Sequence, residues 1–178
     1  MGAKIINFSV QQFPGARVIG RTVRTKDKVD IDDVTITDVL DAMRRDGSND
    51  RLFALPGRLT EAKDTVGWMG DWKPGDEFFT YLAGVLFQPG TPIPEGFEAR
   101  DIVPCQVAVG WITETEGGDM FGNASGLLGE AKKAHGYEYD GDAGMFEMEY
   151  YSDERFNAPI ARGEPPVLDF YSPCKKVG

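Results

Sequence analysis

Apolar residues recur at Ile36, Val39, Leu40 and Met43, a three-and-four spacing that lines one face of a helix. Thr37 or Asp38 is placed to cap its start, and Gly47 to end it. A second helical stretch carries Leu127, Leu128 and Ala131 on its buried side, with Asn123 or Ser125 as its cap. Gly126 and Gly129 interrupt it at a cost of roughly 1 kcal/mol each against Ala, so close packing or a bend is expected there. Elsewhere the period shortens to two. "DTVGWMGDW" and "FFTYLAGVLF", parted by the turn signal "KPGDE", read as strands, as do "GMFEMEYY" and "PPVLDFYSP". In "FEMEYYSDERF", residues 146–156, alternation sets Glu147, Glu149 and Tyr151 on one face and Phe146, Met148 and Tyr150 on the other.

These elements occur twice. "PGARVIGRTVRT" from Pro14 and "PCQVAVGWITET" from Pro104 share a proline and, at the same offset, Gly20 and Gly110. "VLDAMRRDG" and "LLGEAKKAHG" share an apolar pair, two basic residues and a closing glycine. The order is therefore strand, helix, strand, strand, repeated once, over about 5–88 and 97–176. "QPGTPIPEG" (88–96) is the hinge between the repeats, and a second Pro-rich loop, "NAPIARGEPP", precedes the last strand. We expect a single α+β domain over 1–178. Two such units, related by a pseudo-twofold axis, would join into one curved antiparallel sheet with two helices and a central cleft.

At 178 residues, 41% hydrophobic and with a mean hydropathy of −0.33, the chain suits one soluble globular body. A formal charge of −10 repels a phosphate backbone, which argues against direct nucleic-acid binding. No signal-peptide pattern and no run of 18 apolar residues is present, so a cytoplasmic protein without membrane attachment is expected. Cys105 and Cys174 stand apart and read as unpaired thiols, and the single His135 leaves too few ligands for a structural zinc site. "DGDAGMFEMEYY" begins like a calcium loop but has Met145 where glycine is needed. Neither a phosphate-cradling loop nor a nucleophile elbow is found, and no metal or cofactor is expected.

In order, "YLAGVLF" (81–87), "PEGFEARDIVPCQVAVGWIT" (94–113), "FEMEYYSDERF" and "VLDFYSPCK" (167–175) resemble the successive motifs of the GyrI-like effector-binding domain. That domain occurs in AraC-type and MerR-type transcription factors and as a stand-alone protein. The resemblance implies a duplicated strand-helix-strand-strand fold whose cleft binds aromatic or lipophilic cations on aromatic rings around a buried glutamate. The family's Glu-x-Tyr falls on Glu149 and Tyr151, with Glu147 as the alternative register on the same face. With the first strand beginning by about residue 5, a helix-turn-helix unit ahead of the domain is not expected.

A carboxylate drawn out of water is stabilised by a bound organic cation, and aromatic faces add roughly 0.5 to 2 kcal/mol per contact. The candidate ligand-binding residues are Glu149, Glu147, Tyr151, Tyr81, Trp68, Trp111 and Phe170. The expected function is a stand-alone binding module for a lipophilic or cationic small molecule, more a binder than an enzyme. Two alternatives stay open. Some stand-alone members of the family hydrolyse reactive cyclopropane-containing compounds, and its namesake modulates DNA gyrase, so gyrase or a separate regulator is a possible protein partner.

Overall fold

The computed structural model describes residues 2–26, 29–30, 34–115, 117–144 and 146–178. Two long strands, β1 (Ala3–Phe13) and β2 (Ala16–Lys26), are followed by the short β3 (Val29–Asp30) and the helices α1 (Ile36–Arg45) and α2 (Ser48–Phe53). Strands β4 (Thr65–Gly70) and β5 (Phe79–Phe87) complete the first half. The second half runs β6 (Glu98–Ile102), β7 (Cys105–Glu114), α3 (Met120–Ala134), β8 (Tyr137–Tyr139), β9 (Glu147–Tyr151), α4 (Ala158–Ala161) and β10 (Leu168–Lys176). Among the described residues no helix is long and apolar enough to cross a membrane.

All ten strands form one antiparallel sheet in the order β1-β7-β10-β9-β4-β5-β2-β3, with β6 also on β2 and β8 also on β10. Outward from the central β9–β4 pair the two sides match: β10, β7, β1 on one, and β5, β2, β6 on the other. The strand-helix-strand-strand units expected from the sequence are thus β2-α1-β4-β5 and β7-α3-β9-β10. Each is preceded by an arm that pairs with the opposite unit, β1 with β7 and β6 with β2. Phe13 pairs with Cys105 and Ala16 with Ile102, so one register continues across the corner at Pro14 and Gly15. Gly15 has φ +87°, and a Cβ there would meet the Ile102 carbonyl oxygen and Pro104 at 3.1 Å, so the crossing requires glycine.

Alternation along the strands divides the core. One face packs Val18, Trp68, Leu82, Val107, Val109, Phe146 and Met148 together. The other carries two clusters, one under α1 and α2 around Ile19, Met43, Leu52, Tyr81 and Phe87, the other under α3 around Ile112, Leu128, Tyr151, Leu168 and Phe170. Met69, on the central seam, touches both.

Helix boundaries differ from the sequence expectation in instructive ways. The cap of α1 is Thr35, in place of Thr37 or Asp38: its hydroxyl accepts from the Asp38 N–H while the Asp38 carboxylate accepts from the Thr35 N–H. α3 starts at Met120, capped by Asp119 in place of Asn123 or Ser125, because the buried Met120 and Ala124 extend the apolar stripe by a turn. A Cβ at Gly126 or Gly129 would meet open space, so these glycines mark no close approach. "NAPIARGEPP" contains the short α4, with Pro159 in its first turn, where the missing N–H costs nothing. Met145, which weighed against a calcium loop, lies outside the described residues.

Candidate functional site

The seam between the halves is laid out by register. Gly67 on β4 pairs with Glu149 on β9 and with Ala83 on β5; one row along, Met69 pairs with Glu147 and with Tyr81. On the helix-covered face the central row therefore contains two residues with almost no side chain beside one carboxylate. Beside Ala83 this face opens into a cleft of about 580 Å³. Its floor includes Ala83, Gly84, Glu149 and Tyr151; α1 contributes Ile36, Leu40 and Met43 to one wall. Phe121 of α3, with Phe156 and Ile160 from the segment after β9, forms the opposite wall.

Glu149 is 8% exposed, a large burial for a carboxylate, and it is compensated by two phenols. Tyr81 donates to Glu149 Oε2 at 2.7 Å, and Tyr151 donates to the same oxygen at 2.5 Å. The two hydroxyls lie 3.2 Å apart. Burial, then the adjacent Glu149 charge, pushes both phenols well above their ordinary range, so they stay protonated as donors. Tyr81 reaches Glu149 diagonally across β4, and Gly67 makes room for it: a Cβ there would lie 1.8 Å from the Tyr81 hydroxyl and 2.9 Å from Glu149 Oε2. The charged side chains lining the cleft, among the described residues, are Glu149, Asp119 and Arg44. Arg44 is largely exposed at the rim, 3.7 Å from Asp41.

Of the candidate residues, Glu149, Tyr151 and Tyr81 are brought together here. Glu147 shares their face but is turned to Ser125, whose hydroxyl donates to it at 3.0 Å, and it lines a separate hollow beyond Met69. Phe170 pairs with Glu149 across β10 and packs, 2% exposed, in the core beneath α3. Trp68 and Trp111 point to the opposite face. Trp68 packs in the core with the Arg100 guanidinium 6.0 Å from its ring, and Trp111 carries the Arg155 guanidinium at 4.7 Å. Sequence reasoning did not single out Gly67, the α1 residues or Phe121, Phe156 and Ile160. The stripe Ile36, Leu40, Met43 was visible as a helix face, but that its edge overhangs a cleft depends on long-range packing.

At the level of sequence no family model matches the chain, and no curated protein matches it. Solved structures do. SAV2435 bound to tetraphenylphosphonium superposes with a TM-score of 0.62 at 11% identity, over 96% of this chain and 94% of that one. The EcmrR C-terminal domain gives 0.59 at 13% identity, over 96% and 98%. A Staphylococcus aureus MU50 protein put forward as a bacterial transcription regulation protein gives 0.56 at 13% identity, over 95% and 98%. At such identities the likeness is one of architecture: the chain has the fold of the GyrI-like effector-binding domain that its motifs resemble.

Proposed function

We propose that this protein is a binding module for lipophilic organic cations, with Glu149 as the counter-charge and the cleft as the apolar container. The observation that carries this reading is the Glu149 carboxylate, buried on the floor of an open apolar cleft and held by two phenol donors. Phenols that keep their protons stabilise the charged form of the acid, and a cation entering the cleft gains that charge in a medium of low dielectric. The Tyr151, Phe121 and Phe156 rings stand around it, and each well-placed face adds roughly 0.5 to 2 kcal/mol. The net charge of −10 raises the local concentration of cations near the surface. SAV2435, of the same fold, was solved with tetraphenylphosphonium, which has this ligand chemistry.

The test is a titration with tetraphenylphosphonium and with tetraphenylborate, a tetraaryl ion of similar shape and opposite sign, on the wild type and Glu149→Gln. Saturable binding of the cation alone, weakened on the order of tenfold or more in Glu149→Gln, is the expected result. Equal binding of both ions, or an unaffected variant, overturns the charged-cleft reading. The same phenol–carboxylate group also suits general acid–base chemistry, which keeps a second reading open, hydrolysis of strained cyclopropane-containing compounds. Appearance of ring-opened product on incubation with such a compound would favour it.

A further inference from the structure

Beyond Met69 the same face holds a second hollow of about 420 Å³, lined by Met69, Trp72, Asp76, Glu77, Phe78, Phe79 and Glu147. Three aromatic rings and three carboxylates line it, of which Glu77 and Phe78 already have other contacts. It lies at the far end of the central seam from the cleft. On β9 the order Tyr151, Glu149, Glu147 leads from one chamber to the other; on β5 the order is Ala83, Tyr81, Phe79. The hydrogen-bonded Tyr81–Glu149 pair is the partition between them.

We propose that this second chamber is an auxiliary cation subsite, which takes one head of a bis-cationic aromatic compound whose other head sits against Glu149. The proposal rests on the cation reading of the cleft and adds a ligand class to it. Three features of the chamber support it. Glu147, two residues from Glu149 on the same strand face, places a second carboxylate about 6.6 Å further along the seam. Its hydrogen bond from the Ser125 hydroxyl is a neutral contact, which leaves its charge to be balanced. Lys132, whose field reaches Glu147 and balances part of its charge, makes its close contacts elsewhere: it donates to Ser172 Oγ at 2.8 Å and lies 5.0 Å from the Tyr139 ring. Trp72 and Phe79 then supply the flat faces on which a delocalised cation stacks. Asp76 contributes to the field while closing its own turn by accepting from the Lys73 N–H.

The experiment compares two quinolinium probes by calorimetry: an N-alkylquinolinium with one head, and a bis(quinolinium) whose heads are joined by a flexible alkyl chain. We expect one bis-cation per chain, bound tighter than the single-headed probe by on the order of tenfold or more, because the second contact becomes intramolecular. Glu147→Gln, and independently Trp72→Ala, should abolish that gain while the single-headed probe keeps its affinity. Glu149→Gln should weaken both probes. Single-headed binding that depends on Glu149, with no gain from the second head, overturns this proposal and leaves the cleft reading standing. A gain that survives both Glu147→Gln and Trp72→Ala also overturns it, and failure of both probes to bind overturns both readings.

Discussion

The Tyr81 hydroxyl reaches Glu149 Oε2 at 2.7 Å by crossing over Gly67, where any side chain would stand 1.8 Å from its oxygen. The residues come from three adjacent strands, β5, β4 and β9, and β4 and β9 belong to different halves. The candidate site is therefore a property of the joined sheet. Neither half holds it without the other.

Gly67→Ala should disturb this pair more than any other feature. The Tyr81 ring is fully buried and the obstructed atoms include its Cζ, 2.4 Å from the added Cβ, so the phenol cannot swing away without repacking. Overpacking of this kind costs about 1 to 3 kcal/mol. Urea denaturation should show that loss, and cation titration should show weakened binding. A variant as stable as the wild type, binding as well, would mean that Tyr81 does not need its diagonal position.

Alkali should unfold the protein through its tyrosines. Tyr139 and Tyr171 are pushed up to about 12, and Tyr81, Tyr150 and Tyr151 are also raised, burial being the first cause in each case. In the unfolded chain phenols release their protons near pH 10, while the folded ones hold them. Stability is thus intact below about pH 10 and falls as pH rises from there through the folded values, since the unfolded state binds fewer protons. Phenolate absorbance followed with circular dichroism should show most of the six tyrosines ionising together with loss of structure. Their full ionisation in a still-folded protein would contradict it.

How far this site was readable beforehand depends on whether a residue's place follows from local period or from distant pairing. Glu149 and Tyr151 share a face because a strand has period two, and no partner is needed to know it. The same parity separates Gly67 from Trp68, but which of them meets Glu149 is set by the register of β4 on β9. Trp68 accordingly drew attention by its size, while the residue that shapes the site has no side chain. The arms β1 and β6 were hidden for a similar reason: each pairs with the opposite half, and nothing within an arm records its partner. The α1 cap lies two residues before Thr37 because Thr35 with Asp38 makes a reciprocal box that Thr37 cannot.

Arg155 should matter for the cleft wall although it does not line it. Its guanidinium grips the 1% exposed Asp169 through Nε at 3.0 Å and Nη2 at 2.5 Å, and so ties the segment bearing Phe156 and Ile160 to β10. Arg155→Ala leaves a buried carboxylate without its cation, a loss of about 3 kcal/mol or more. Arg155→Ala with Asp169→Asn should recover part of that stability, because the stranded charge is removed. If the double variant is no more stable than the single one, the pair's role is packing over Trp111, where the guanidinium lies 4.7 Å from the ring.

Glu147 supplies a prediction with a defined sign. Burial raises its pKa, against the lowering pull of the Ser125 hydrogen bond and the Lys132 charge. In the unfolded chain it titrates near the ordinary glutamate value of about 4.3. As pH climbs through that value the unfolded state gives up its proton first, so the wild type loses stability relative to Glu147→Gln until the folded group has also ionised, after which the gap is constant. Urea denaturation of both proteins across this range should trace the declining difference, and a difference that grows with pH would show the folded carboxylate to be stabilised as an anion. A cation bound in the second chamber favours that anion. Within the window, binding of the bis(quinolinium) should therefore release protons, seen as a dependence of the calorimetric heat on the buffer's ionisation enthalpy. Glu147→Gln should abolish that share of the release.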